Sequence, residues 1–323
     1  MKKQQGFTLV EIFISLMVGL VLLAGVLSVF VGLKTTASET SSFGSMQETG
    51  RFAISVLTED LMRQGFWGDM INPLTHSHLL TDAPAAPTGE CIGGGLNNGS
   101  FPLQEGHFRS LWGMSATTAS ALGCIDNAKI GSDILQVKRT ISAPHTAGLV
   151  AGNYYLISNM VTGAIFVGTQ APPPIDNSRI WEYQHHIYYI SEDTFNQNDT
   201  NQTSIPSLNI ITLASTLNDQ PLIDGVEMIR FMYGIDSDLD GVVNGFISAD
   251  NMTEAMWDNT GTARILAVKM YVLVRDILPD RKYNNTTVYN LGDITFRAQN
   301  DNYRRMVFSS TVSLHNGDVE VWQ

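Results

Sequence analysis

Gly6-Phe7-Thr8-Leu9-Val10-Glu11, followed by Ile-Phe-Ile-Ser-Leu-Met-Val-Gly-Leu-Val-Leu-Leu-Ala-Gly-Val-Leu-Ser-Val-Phe-Val-Gly-Leu33, is a run of 27 residues from Phe7 in which Glu11 is the only charge. As an α-helix rising about 1.5 Å per residue it reaches about 40 Å, enough to cross a hydrocarbon core with some tilt. Lys2 and Lys3 precede the run and no comparable basic cluster follows it. The spacing therefore predicts a single-pass anchor with its N-terminus cytoplasmic and the rest of the chain on the far side. A secretory signal has a shorter apolar core and is cut after it. Here the plausible cut, Gly6-Phe7, precedes the run, so processing would remove residues 1–6 and keep the helix.

A carboxylate within a membrane helix costs about 2.5–3.5 kcal/mol even on permissive insertion scales, so Glu11 needs a partner. The alternative is that Glu11, four residues into the helix, reaches the cytoplasmic interface. Past Leu33, the residues Phe43, Met46, Gly50, Ala53 or Ile54, Leu57 and Leu61 recur at three- and four-residue steps, with Glu48, Arg51, Glu59 and Arg63 between them. That periodicity predicts an amphipathic continuation over 34–65, closed by Gly65 as C-cap, with one face on a globular domain. Gly19, Gly25, Gly32, Gly44 and Gly50 are sites for bending or close approach.

From residue 66 to 323 the pattern changes to short β-branched and aromatic runs between turn residues: Ile134–Ile141, Tyr154–Asn159, Ala164–Gly168, His186–Ser191, Leu208–Leu213, Val226–Tyr233, Ile265–Arg275 and Arg305–Leu314. The fold class expected is α+β, a long N-terminal helix packed on a mostly antiparallel sheet domain. Long loops are expected at 68–130 and 192–206, and Pro172-Pro-Pro174 reads as an extended connector. No internal repeat is visible. The net charge of −12 and pI near 4.9 argue against a generic polyanion-binding surface, so direct nucleic-acid binding is not expected.

The two cysteines, Cys91 and Cys124, both follow the membrane run. An even count in an oxidising compartment favours a disulfide over two buried thiols, and a loop of this length is worth about 3–4 kcal/mol on the loop-entropy model. Asp236-Ser-Asp238-Leu-Asp240-Gly241-Val-Val-Asn244 sets three carboxylates at alternate positions before a Gly, a pattern that can wrap a Ca²⁺ ion, with the Val242 carbonyl, Asn244 and Asp250 completing the shell. The bidentate Glu of a full calcium loop is replaced by Ile247. The competing reading is a solvated acidic turn. His76-x-His78 and His185-His186 are weaker candidates for a metal: the loop pair has no nearby Cys or Glu partner, and adjacent strand histidines point to opposite faces. Asn198-Asp-Thr200 is a glycosylation triplet without a glycosylating compartment. No nucleophile elbow, Walker loop, dinucleotide fingerprint or zinc-protease helix occurs, so no enzymatic activity is expected.

The segment Gly6-Phe7-Thr-Leu-Val-Glu11 resembles the class III signal of type IV prepilins and type II secretion pseudopilins. The resemblance implies cleavage between Gly6 and Phe7 by a membrane prepilin peptidase, N-methylation of Phe7, and pairing of Glu11 with the terminal amine of a neighbouring subunit. Gly225-Val-Glu-Met-Ile-Arg-Phe-Met-Tyr-Gly234, Trp257, Leu266–Arg275 and Tyr303–Leu314 are similar to the layout of PilW-type minor pilins, with Met306 where a third basic residue is usual. Gly131–Lys138 and the Gly-rich region at Cys91 suit that family better than the shorter GspJ-like pseudopilins. The family implies inner-membrane insertion, then assembly into the initiating or tip complex of a type IV pilus that supports adhesion and twitching motility. The implied partners are other minor pilins, the major pilin and a tip adhesin. The alternatives are a GspJ-like subunit at the tip of a periplasmic pseudopilus, and a tethered binding module that never polymerises.

Overall fold

A computed structural model describes residues 6–194 and 204–315. Lys2, Lys3 and Asn198-Asp-Thr200 lie outside the described residues, as does the middle of the segment 192–206. The first helix, α1 (Leu9–Arg63), is followed by a domain built almost wholly of strands. The residues up to Gln47 form one compact unit and those from Glu48 onward a second.

In the first unit every large apolar residue from Phe7 to Leu33 is exposed within the chain, on all sides of the helix. A helix apolar all round suits lipid or other helices rather than water. Three of its hydroxyls are satisfied internally: Ser15 donates to the Ile12 carbonyl at 2.9 Å, Thr35 to Val31 at 3.0 Å and Thr36 to Gly32 at 3.1 Å. No hydroxyl of these three then enters an apolar medium unpaired.

The second unit begins with the last four turns of α1. Ala53, Leu57, Asp60, Leu61 and Gln64 are buried there, a stripe at i, i+4, i+7, i+8 and i+11. Each buried Leu side chain contributes about 1.5–3 kcal/mol. Gly50 lies under the Phe308 ring so closely that a Cβ would collide with it. Past Arg63 the chain turns at Gly65, whose φ of +67° favours glycine, and the Gly65 N–H donates across to the Lys138 carbonyl at 3.0 Å.

Seven strands form the larger sheet: β1 (Leu111–Ser115), β2 (Asp133–Thr140), β3 (Tyr154–Ser158), β4 (Gly163–Val167), β5 (Arg179–Thr194), β6 (Ser204–Leu213) and β7 (Leu217–Asp224). The order is β1-β2-β5-β3-β4, with β6 and then β7 branching from β5. Sixteen residues long, β5 pairs with β2 on one edge and on the other with β3 through Arg179–Tyr183, then β6 through His186–Thr194. A four-stranded sheet follows, ordered β13-β10-β8-β9, from β8 (Val226–Asp236), β9 (Gly245–Ser248), β10 (Arg264–Arg275) and β13 (Arg305–Ser313). One residue, Gly225 at φ +90°, passes the chain from β7 to β8; a Cβ there would meet the Arg275 carbonyl oxygen at 3.0 Å. A hairpin of β11 (Val288–Leu291) and β12 (Ile294–Arg297) covers Met228 and Leu273 with Leu291. A short helix, α2 (Glu254–Trp257), is capped by Thr253 and sets Trp257 against Tyr233 at 4.7 Å between ring centroids. Every pairing between these strands is antiparallel, as the α+β expectation requires.

Several expected boundaries shift. The segment 68–130 contains β1, and Glu192–Thr194 and Ser204–Pro206 are strand rather than loop. β5 begins seven residues before His186 because Arg179–His185 pairs with β2 and β3 despite its mixed polarity.

The open stretch of β8 beyond β9 is closed by side chains rather than a strand. Asp133 Oδ2 accepts from the Phe231 N–H at 2.7 Å, and Ser132 Oγ accepts from the Ile229 N–H at 3.1 Å. This satisfies an edge that would otherwise offer unpaired donors to another chain.

Candidate functional site

Thr8 is the residue before α1 and Glu11 its third helical residue. The Thr8 N–H donates to Glu11 Oε2 at 2.8 Å, the Thr8 hydroxyl to the same oxygen at 2.9 Å, and the Glu11 N–H to Thr8 Oγ1 at 3.4 Å. This is a reciprocal capping box, in which Ser/Thr at the cap and Glu three residues on satisfy each other's backbone donors. The carboxylate also sits at the positive end of the helix dipole. Sequence reasoning looked for Glu11's partner in another subunit; the chain supplies one of its own, and the Thr-x-x-Glu spacing was the signal for it. Both contacts use Oε2, so Oε1 accepts no hydrogen bond among the described residues. Beyond the cap, α1 presents the apolar surface already described, and Gly6 and Phe7 lie exposed immediately before it.

Cys91 and Cys124 are joined in a disulfide with Cα atoms 5.1 Å apart. Cys91 is buried with Ile125, Ile134 and Ile187, and Cys124 packs against the same cluster, so the bridge pins the Gly-rich segment onto the larger sheet.

Asp236, Asp238 and Asp240 bring one carboxylate oxygen each within 4.8 Å of one another. Asp236 accepts from the N–H groups of Leu239 at 2.7 Å, Gly241 at 2.9 Å and Asp238 at 3.2 Å. Burial pushes its carboxyl up, and those three donors outweigh it and hold the group below the usual carboxylate range. Asn244 Oδ1 accepts from the Ser237 N–H at 2.6 Å and hydroxyl at 3.0 Å. Leu239 and Gly241 take positive φ, the turn geometry that lets the acids converge. Asp250 does not join them; it binds Arg230 and Ser115.

The histidines are placed apart, as expected of a strand pair. His185 is fully buried, while His186 Nδ1 meets Asp60 Oδ2 at 2.5 Å on the other face. His78 Nδ1 contacts the Pro73 carbonyl and the Thr75 hydroxyl, both at 2.9 Å.

Sequence reasoning missed several buried charge centres, among them those of Asp60 and Arg230. Asp60 on α1 binds Arg139 of β2 at 2.5 Å and 2.8 Å, and accepts from the Tyr188 hydroxyl of β5 at 2.5 Å. Burial raises the Asp60 carboxyl, but His186, Arg139 and Tyr188 together hold it well below its ordinary value. Arg230 of β8 contacts Asp133 at 2.8 Å, Asp293 at 2.8 and 2.9 Å, and Asp250 at 3.1 Å. Asp60 falls on the Ala53-Leu57-Leu61 stripe, so a charge on the apolar face was the available clue.

The family model "Type IV Pilus-assembly protein W" matches residues 187–316, from within β5 to just past β13, and "Prokaryotic N-terminal methylation motif" matches residues 1–27. No curated protein and no solved structure gives a match. The methylation motif with its apolar helix is that of an inner-membrane-anchored pilin that assembles into the pilus, and the two matches together imply prepilin processing and assembly with other pilins, in a family that is structural.

Proposed function

We propose, for a chain whose two family matches are those of a PilW-type minor pilin, that cleavage between Gly6 and Phe7 and methylation of Phe7 release a subunit of the initiating or tip complex of a type IV pilus. Residues 7–33 are the filament-core helix, residues 34–65 carry it onto the domain, and residues 66–323 form the periplasmic part. The observation that carries this reading is the capped, wholly exposed apolar helix headed by Gly6-Phe7 with Glu11 as its one charge. Such a surface is stable against lipid, and neighbouring helices can replace those lipid contacts during extrusion. Glu11 exchanges its hydrogen bonds from Thr8 for the methylated amine of the adjacent subunit. Other minor pilins, the major pilin and a tip adhesin are the partners, in pili that serve adhesion and twitching.

N-terminal sequencing of the protein recovered from sheared pili is expected to begin at N-methylated Phe7. An intact Met1, found only in the membrane fraction, would contradict both processing and incorporation.

The acidic turn fits a weak Ca²⁺ site. Oxygens bound to one ion at about 2.3–2.6 Å lie no more than about twice that distance apart, which the observed convergence meets. Asp236, Asp238, Asp240 and Asn244 would hold the ion. Because Asn244 and Asp236 already serve the turn's own N–H groups, the affinity is expected in the about 10⁻⁴–10⁻³ M range of extracellular modules. Calorimetric titration with Ca²⁺ should give heat that Asp238→Ala abolishes; absence of heat in both proteins leaves a self-supporting acidic turn.

A further inference from the structure

Lys138 lies in the middle of β2 and is completely buried. Its Nζ donates to the Asn98 side-chain oxygen at 3.0 Å and to the Arg109 carbonyl at 2.7 Å, and sits 5.2 Å from the centre of the Phe108 ring. Both acceptors are neutral. A buried ammonium ordinarily pairs with a carboxylate, and this one does not. Burial drives the Lys138 amine far below its usual range, and Arg109 adds to the effect while the Glu90 charge opposes it. Burial thus favours the uncharged, nucleophilic form of the amine.

Asn98 is likewise buried, at 1 % exposure. Its Nδ2 donates to the Gly93 carbonyl, which fixes the carboxamide with its oxygen toward Lys138. With a C=O bond of about 1.23 Å, the carboxamide carbon is no further than about 4.2 Å from Nζ, close to attack distance. Glu90 lies on the adjoining backbone: its Oε1 accepts from the Ser100 N–H and is 3.0 Å from where a Cβ on Gly99 would lie. Phe108 stands over the amine and clusters with Phe101 and Tyr183.

We propose that Lys138 and Asn98 join spontaneously in an intramolecular amide bond. The Nζ lone pair attacks the Asn98 Cγ, forming the new C–N bond. The proton that Nζ releases passes to the departing Nδ2. The Cγ–Nδ2 bond breaks, and ammonia leaves. No oxidant or further reactant is consumed. The product ties the Gly-rich segment to β2 by a second covalent link beside the Cys91–Cys124 bridge, one that reduction cannot open. The proposal stands apart from the pilin reading, since it needs only a folded domain.

The test is the intact mass of the full-length chain, purified in detergent and fully reduced, with mapping of its proteolytic peptides. The expected mass is short by one ammonia, and a peptide containing Asn98 is found linked to one containing Lys138. Asn98-Gly99 can also lose ammonia by closing a succinimide on its own backbone. Lys138→Met separates the two: it restores the full mass if the link is to lysine and leaves the loss in place if a succinimide formed. A wild-type chain of full mass, or one short by ammonia with no linked peptide pair, overturns the proposal without reference to how any variant folds.

Discussion

Asp60→Ala is expected to lower the free energy of unfolding by about 3–5 kcal/mol, because it strips a buried charge centre of its only carboxylate. Asp60 is 3 % exposed and Arg139 6 %. Without Asp60 the Arg139 guanidinium keeps one hydrogen bond, to the Thr140 carbonyl at 3.3 Å, while His186 Nδ1 and the Tyr188 hydroxyl each lose a partner. Domains commonly hold about 5–15 kcal/mol in all, so the loss is a large share of the whole. Asp60→Asn keeps the shape and one acceptor and should cost less. The sign with pH follows from the depressed Asp60 carboxyl. Its stabilisation is complete above the range where an unfolded aspartate titrates, near 4, and disappears as acid protonates the folded group. The wild type should therefore lose stability on acidification below about pH 4 more steeply than Asp60→Asn. Urea titrations of the detergent-solubilised chain, followed through the buried Trp67, Trp112, Trp181 and Trp257, measure both effects. Equal midpoints for wild type and Asp60→Ala would show that the cluster contributes nothing.

That cluster marks the boundary of what the sequence discloses. α1 was legible because its two halves obey simple rules, an uninterrupted apolar run and then a stripe at three- and four-residue steps. β2, β8 and β10 were legible as runs rich in β-branched or aromatic residues, and β8 is buried along its whole length. β7 was not, because an edge strand reading Leu-Asn-Asp-Gln-Pro-Leu-Ile-Asp224 has little to bury. The β11–β12 hairpin could have been found: Gly292-Asp293 between Val288-Tyr-Asn-Leu and Ile-Thr-Phe-Arg297 is a two-residue turn signal, and Gly292 has φ +71°. At the N-terminus, the cap made by Thr8 was local and readable. The contacts of Lys138 with Asn98, and of Asp60 with Arg139, join residues 40 and 79 positions apart, and no short-range pattern encodes them.

Glu11→Leu should abolish incorporation of the protein into pili, and Glu11→Gln separates the two tasks this side chain performs. Within one chain Glu11 completes the cap with Thr8, a role worth about 0.5–2 kcal/mol, which glutamine can also fill. A helix this apolar does not need that contribution to form in lipid, where its backbone has no competing solvent. If capping were the whole role, Glu11→Gln would assemble normally and Glu11→Leu nearly so. In the proposed filament, Glu11 meets the cationic methylated amine of a neighbour in an apolar core, where removing one member of a buried pair costs about 3–5 kcal/mol and leaves the other charge stranded. The neutral Gln forms no ion pair, so it should fail almost as completely as Leu. The measurement is immunodetection of the protein in sheared pili, with the membrane fraction confirming that each variant is inserted and processed. Normal recovery of Glu11→Gln would reduce Glu11 to a helix cap and remove the electrostatic basis for its place in the filament.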